Sequence, residues 1–216
     1  MVPGRTGRRS LIRLAGAAAL AALVPERVAE ARPLSADDEA RLARGEVVKV
    51  PVDLDTPRGD YFGGIAYALI DAPVTEVMEV LLDATSYTSI LPLTLEARVT
   101  GRPGGDWQVF FKQGTRLGSS SYTLIARRES QGLLRFWLDP SEPHDIGDCW
   151  GYFRVQPWGK GASLLTYAAL LHLDSTLVKL LFTETIRRYA FTTPALVRAF
   201  VQGRRGHAAA PAPAER

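Results

Sequence analysis

The sequence has one cysteine and three histidines among its 216 residues, and no apolar run long enough to cross a bilayer as a helix. Cys149 alone can form neither an intramolecular disulfide nor a thiolate metal cluster. It lies in the apolar-aromatic stretch Asp148-Cys149-Trp150-Gly151-Tyr152-Phe153, the setting of a small buried residue. A nucleophilic thiol would want a His partner, and only His144, His172 and His207 are available, the last in an Ala/Pro-rich tail. A metal site needs three or four convergent ligands. His144, Asp145 and Asp148 are the one close grouping of titratable residues that includes His, and His144 and Asp145 are adjacent in a hairpin loop, which is poor ligand geometry. His172, near a strand end, reads as a structural residue. No metal and no cofactor is expected, and no catalytic set is assigned.

The longest uncharged run near the N-terminus, Leu14 to Val24, has 11 residues, against the ~20 that a spanning helix requires. Arg5, Arg8, Arg9 and Arg13 precede it, and Ala29-Glu30-Ala31 follows, with Ala29 and Ala31 as the small residues a signal peptidase needs. Residues 1–31 are therefore expected to be a signal peptide. Arg8-Arg9-Ser10-Leu11-Ile12-Arg13 resembles the twin-arginine export signal, with an ordinary secretory signal as the alternative. No cysteine stands near the cleavage site to carry a lipid anchor. The mature protein is expected in the periplasm.

The chain also lacks a charge excess once this segment is removed. It carries 26 Lys+Arg and 23 Asp+Glu, a net charge of +3. Residues 1–31 hold five Arg and two Glu, so the whole excess belongs to them. The neutral remainder gives no electrostatic footprint for nucleic acid, and no nucleic-acid partner is expected. Composition is otherwise that of a globular domain, 46% hydrophobic and 23% charged, without internal repeats.

Residues 32–45 form a short helix or linker, with Ser35 as N-cap, acidic residues 37–39 at its start and Gly45 at its end. Residues 46–203 form the main domain, and 204–216 a disordered tail. Val47 to Leu54 and Tyr61 to Ile70 read as strands, Pro51 placing the first at a sheet edge. Pro73 opens a helix whose Val74, Val77, Met78, Leu81 and Leu82 recur at spacings of three and four. A second helical piece, Ser86 to Leu91, stops at Pro92. The period then switches to two, giving strands at 95–102, 107–115, 119–129, 133–139, 148–157 and 162–173 with Gly- and Pro-rich breaks. A long helix, Ser175 to Gln202, closes the chain at Gly203, with a kink or restart expected at Pro194 and Thr193 capping its second part.

This order implies an α+β fold in which a curved antiparallel sheet of six to seven strands wraps around one long C-terminal helix, with two short helices after the first strand. One helix about 10 Å wide cannot fill the concave face of such a sheet, and the usual outcome is a cavity. Three places resemble the START/Bet v 1-like (SRPBCC) superfamily, of polyketide cyclase and coenzyme Q-binding START type. They are Ala72 to Asp83 with the following Tyr87 to Pro92, then Gly151 to Pro157 with Gly161 to Tyr167, and the terminal helix. The pattern covers about residues 46–202. Phe153 and Ser163 stand where that family often has Trp and Thr. The resemblance implies the helix-grip fold and a bound hydrophobic small molecule.

Register against those motifs turns one face of each strand inward: Trp107, Val109 and Phe111; Tyr122 and Leu124; Phe136 and Leu138; Phe153 and Val155; Leu165, Tyr167 and Leu171. These, with Leu181 of the last helix, are the candidate cavity residues; the competing reading is that they fill an ordinary core. Leu177 to Phe182 is apolar on almost every side. It is either clasped by the 140–147 loop or forms an exposed lip for transient membrane contact. The pairs Arg127-Arg128 and Arg187-Arg188, balanced by Glu129 and Glu184, read as solvated faces. The leading function is binding and carriage of a lipid, isoprenoid or sterol-like molecule in the cell envelope. The alternatives are a cyclase/aromatase-type enzyme on the same fold, or an envelope interaction module whose core is filled.

Overall fold

The computed structural model describes residues 32–57, 59–115, 118–174 and 176–209, and within the last stretch the side chains of 183–205. The expected signal peptide with Ala29 and Ala31, and the end of the expected tail, lie outside the described residues. So do the side chains of Leu177 to Phe182, Leu181 among them.

Alternating sequence becomes strand wherever one face can be buried. The strands are β1 (Val48–Thr56), β2 (Gly59–Ile70), β3 (Thr94–Gly101), β4 (Trp107–Thr115), β5 (Gly118–Ser130), β6 (Leu133–Leu138), β7 (Asp148–Trp158) and β8 (Ala162–His172). All pair antiparallel in the order β1-β2-β8-β7-β6-β5-β4-β3. The meander from β3 to β8 thus returns to lie beside β2. The β7–β8 turn uses Gly159 and Gly161 at φ of +59° and +82°, values that a residue with a Cβ resists.

Two details differ from the sequence expectation. The sheet has eight strands among the described residues, because both early segments join it as a hairpin, Val48 opposite Tyr67 through Thr56 opposite Gly59. The short helices therefore follow two strands rather than one. Pro51 is accommodated because β1 is an edge strand, where a missing donor costs no ladder bond.

The helices are α1 (Ala36–Ala43), α2 (Val74–Leu82), α3 (Tyr87–Ile90, entered through a 3₁₀ turn at Ala84–Ser86) and α4 (Thr176–Ala209). Ser35 caps α1 in a reciprocal box: the Asp38 N–H donates to Ser35 Oγ (3.1 Å) and the Ser35 N–H to Asp38 Oδ2 (3.0 Å). Arg32 donates to the same carboxylate oxygen at 2.7 Å. In α2 the apolar stripe of Val77, Met78, Val80 and Leu81 is buried against β7 and β8. Asp83 ends α2 and caps the next turn. Its carboxylate accepts from the Thr85 N–H (3.0 Å), the Thr85 hydroxyl (2.7 Å) and the Ser86 hydroxyl (2.7 Å).

Helix α4 is not interrupted at Pro194 and does not stop at Gly203; it continues to Ala209. Thr193 does not begin a second helix. Its hydroxyl, like that of Thr192, donates back to the Tyr189 carbonyl (3.1 and 3.0 Å). Phe191, Val197 and Val201 are buried on both sides of Pro194, and packing on this scale outweighs one lost donor.

Candidate ligand cavity

Between the concave face of the sheet and α4 lies a cavity of about 860 Å³, bounded also by α2, α3 and the loop around Ile146. The space is not filled by side chains, which sets aside the reading as a module with a filled core. Helix α4 contributes Thr185, Ile186, Tyr189, Ala190 and Thr193, spaced so that they lie on one helical face. The sheet wall is laid down in register by β4 and β5. Trp107 lies opposite Ala126, Val109 opposite Leu124, Phe111 opposite Tyr122 and Gln113 opposite Ser120, and all eight line the cavity.

Aromatic rings form two groups. Phe153 and Tyr167 stack at 4.6 Å between centroids, with Phe136 at 5.8 and 6.2 Å from them. Phe111 stacks on Tyr122 at 5.7 Å and meets the edge of Tyr87 at 5.6 Å. Such pairs favour offset and tilted geometry because ring faces are negative and edges positive.

The polar groups of the wall are mostly engaged with one another. The Tyr122 hydroxyl donates to Gln113 Oε1 (2.7 Å), and Gln113 Nε2 donates to Thr94 Oγ1 (3.0 Å). The Tyr87 hydroxyl donates to the Leu81 carbonyl (2.6 Å), and the Tyr167 hydroxyl and Thr193 side chain are hydrogen-bonded to each other. Burial pushes the hydroxyls of Tyr87, Tyr122 and Tyr167 well above the usual tyrosine range. Cys149 also lines the cavity, its thiol raised by burial and then by the nearby Asp148 carboxylate. All four groups are neutral at physiological pH.

Of the sequence candidates, Trp107, Val109, Phe111, Tyr122, Leu124, Phe136, Phe153, Tyr167 and Leu171 line the cavity. Leu138, Val155 and Leu165 do not; all three are buried in the core. Val155 and Leu165 are register partners at the end of the sheet that α2 covers, so helix side chains occupy the space in front of them. Leu138 ends β6, and Ile146 from the following loop forms the wall there instead. Sequence reading expected a contribution from the last helix at Leu181, but missed the α4 residues Thr185 to Thr193, the contributions of α2 and α3, and the rim residues Leu91 to Leu93. The left-handed backbone of Leu93 (φ +64°) and its 41% exposure stand out there.

His144, Asp145 and Asp148 do not converge. Asp145 accepts from the Ser121 N–H (2.7 Å) and hydroxyl (2.9 Å), which hold its carboxyl below the usual range. Asp148 accepts from the Tyr61 hydroxyl (2.6 Å), while His144 Nδ1 lies 2.7 Å from the Ile146 carbonyl. His172 packs against the Tyr61 ring with Nδ1 3.0 Å from the Asp60 carbonyl. Arg127 pairs with Asp106 at 2.7 Å rather than with Glu129, and Arg187 bridges Asp53 (2.5 Å) and Glu184 (2.9 Å).

An antiparallel sheet closed by one long C-terminal helix over an apolar cavity is the helix-grip fold. Solved structures of that kind superpose on this chain. The Zhui aromatase/cyclase from Streptomyces sp. R1128 has a TM-score of 0.58 at 14% identity, over 77% of this chain and 100% of the other. A STAR-related lipid transfer protein from Xanthomonas axonopodis has 0.58 at 13%, over 72% and 93%. A START superfamily protein from Mycobacterium smegmatis has 0.52 at 15%, over 64% and 96%. At such identities the likeness is one of fold. No family model and no curated protein matches the sequence.

Proposed function

We propose that this protein binds and carries a hydrophobic small molecule of lipid, isoprenoid or sterol-like kind in the cell envelope, reached by export on the signal peptide of residues 1–31. The observation that carries this reading is the cavity itself, about 860 Å³ and walled largely by apolar and aromatic side chains. Its size falls within the ~300–1,000 Å³ of small-molecule sites. Each 100 Å² of ligand apolar surface removed from water would contribute about 2.5 kcal/mol. The names of two structural neighbours, a lipid transfer protein and an aromatase/cyclase, are compatible with occupancy of this space. The cyclase reading needs an acid or base tuned near the working pH. The buried tyrosines and Cys149 are shifted the other way, which favours binding without chemistry. Exposed Leu93 at the rim supports a transient membrane contact during loading.

Native mass spectrometry of protein purified from the cell envelope without detergent tests the reading. A bound mass that disappears on organic extraction is the expected result. Empty protein that also takes up nothing from lipid vesicles would sink it. Export is tested separately: replacing Arg8 and Arg9 by Lys should strand a reporter fused behind residues 1–31 in the cytoplasm.

A further inference from the structure

The wall of the cavity changes character along its length. Its inward pairs on β4 and β5 run Trp107/Ala126, Val109/Leu124, Phe111/Tyr122 and Gln113/Ser120, from wholly apolar to wholly polar in four rungs. The apolar rung continues across the sheet, since Phe136 is the register partner of Ala126 and Ala169 follows across Gly151. At the other end Thr115 and Ser119 extend the polar zone. The lining spans β4 from Trp107 to Thr115, which at about 3.3 Å per residue is roughly 26 Å. Asp145 is the one charged residue among the described lining, and Ser121 donates twice to its Oδ2. No described Lys or Arg lines the cavity to receive an anionic head.

We infer that the ligand is a neutral, chain-like amphiphile lying along β4 and β5, its uncharged oxygen-bearing head at Gln113 and Ser120 and its tail end at Trp107 and Ala126. This rests on the carrier reading above and narrows it. The Ser120 hydroxyl offers the head a hydrogen bond, while Gln113 is fixed in place by Tyr122 and Thr94. An anionic head would find no cationic side chain among the described lining to pair with, whereas an uncharged oxygen needs only a hydrogen-bond partner. A rigid polycycle shorter than this lining would leave one end of it uncovered.

The test uses the full delipidated protein and a series of straight-chain primary alcohols from decanol to tetracosanol, with hexadecyl phosphate and cholesterol as contrasts. Affinity is expected to rise by up to about fourfold per added methylene. Growth should stop near about 20 carbons, where an extended chain of roughly 1.3 Å per carbon fills the groove. Hexadecyl phosphate and cholesterol should each bind at least tenfold more weakly than hexadecanol. Hexadecanol brominated at its terminal carbon should quench tryptophan fluorescence more than the isomer brominated beside the hydroxyl, and Trp107→Phe should abolish the difference. Affinity that is flat with chain length overturns the inference, as does cholesterol or the phosphate binding as well as the alcohol, or quenching by the head-brominated isomer instead. In each of those cases a hydrophobic ligand still binds and the carrier reading stands. Failure of every probe to bind rejects both readings. The length series needs no substitution, so it decides the matter even if the Trp107 variant does not fold.

Discussion

Leu165 and Tyr167 are two residues apart on β8 and face the same way, yet Leu165 is sealed beneath α2 while Tyr167 forms cavity wall. The pair separates two roles that strand periodicity alone merges. Leu165→Ala should cost about 2–5 kcal/mol in a denaturant titration, as a fully buried leucine does, without changing ligand affinity relative to the folded fraction. Tyr122→Phe makes the opposite cut. It removes the donor to Gln113 Oε1 and frees that amide to turn, at about 0.5–1.5 kcal/mol of stability, and the larger effect should be on binding of the ligand head. Comparing affinity with stability for the two variants checks both. Asp83, the acidic residue that closes the opening-helix motif, also has a local reason to be there. It caps the turn into α3, and Asp83→Ala should cost about 1 kcal/mol.

Helix α4 shows how an element is decided by what it lies on. It crosses β2 where Gly64 leaves room for the Phe191 ring; a Cβ at Gly64 would run into that ring and into the Val50 carbonyl. Gly64→Ala should therefore destabilise the protein by about 1–3 kcal/mol, seen as a lowered melting temperature. The same packing carries the helix past Pro194, which reads as a break when considered alone. The β1–β2 hairpin is a second case. Each strand was legible, but its attachment to β8 adds an edge to the sheet that no local pattern announces.

For the whole molecule, occupancy and pH are the variables that matter. Ligand at one hundred times its dissociation constant should add about 2.7 kcal/mol, or roughly 5–10 °C in melting temperature for a domain of this size. Scanning calorimetry of loaded and extracted protein measures it. On the acid side, Asp38 is held low by its hydrogen bond to Arg32 and then by Ser35, and Asp83 and Asp145 are held low by their own hydrogen-bond donors. Their contribution is complete above the usual carboxylate value near ~3.9 and is lost as pH falls below it. On the alkaline side, buried Tyr87, Tyr122 and Tyr167 are raised, so stability is full below ~10 and declines as pH climbs beyond that. A plateau between these limits, flanked by two losses, is the expected profile of circular dichroism against pH.

The strand succession of β3 to β8, the capping of α1, the α2 stripe and the inward faces of the strands were all written in local patterns of two, three and four residues. Those patterns report which side of an element avoids water, and nothing more. Which inward residues touch one another and which border an open space depends on where α2 and α4 come to rest across the sheet. Only the tertiary structure decided that Val155 and Leu165 are packed while Phe153 and Tyr167 face a void, because a void is what remains after helices of finite width have covered a curved surface.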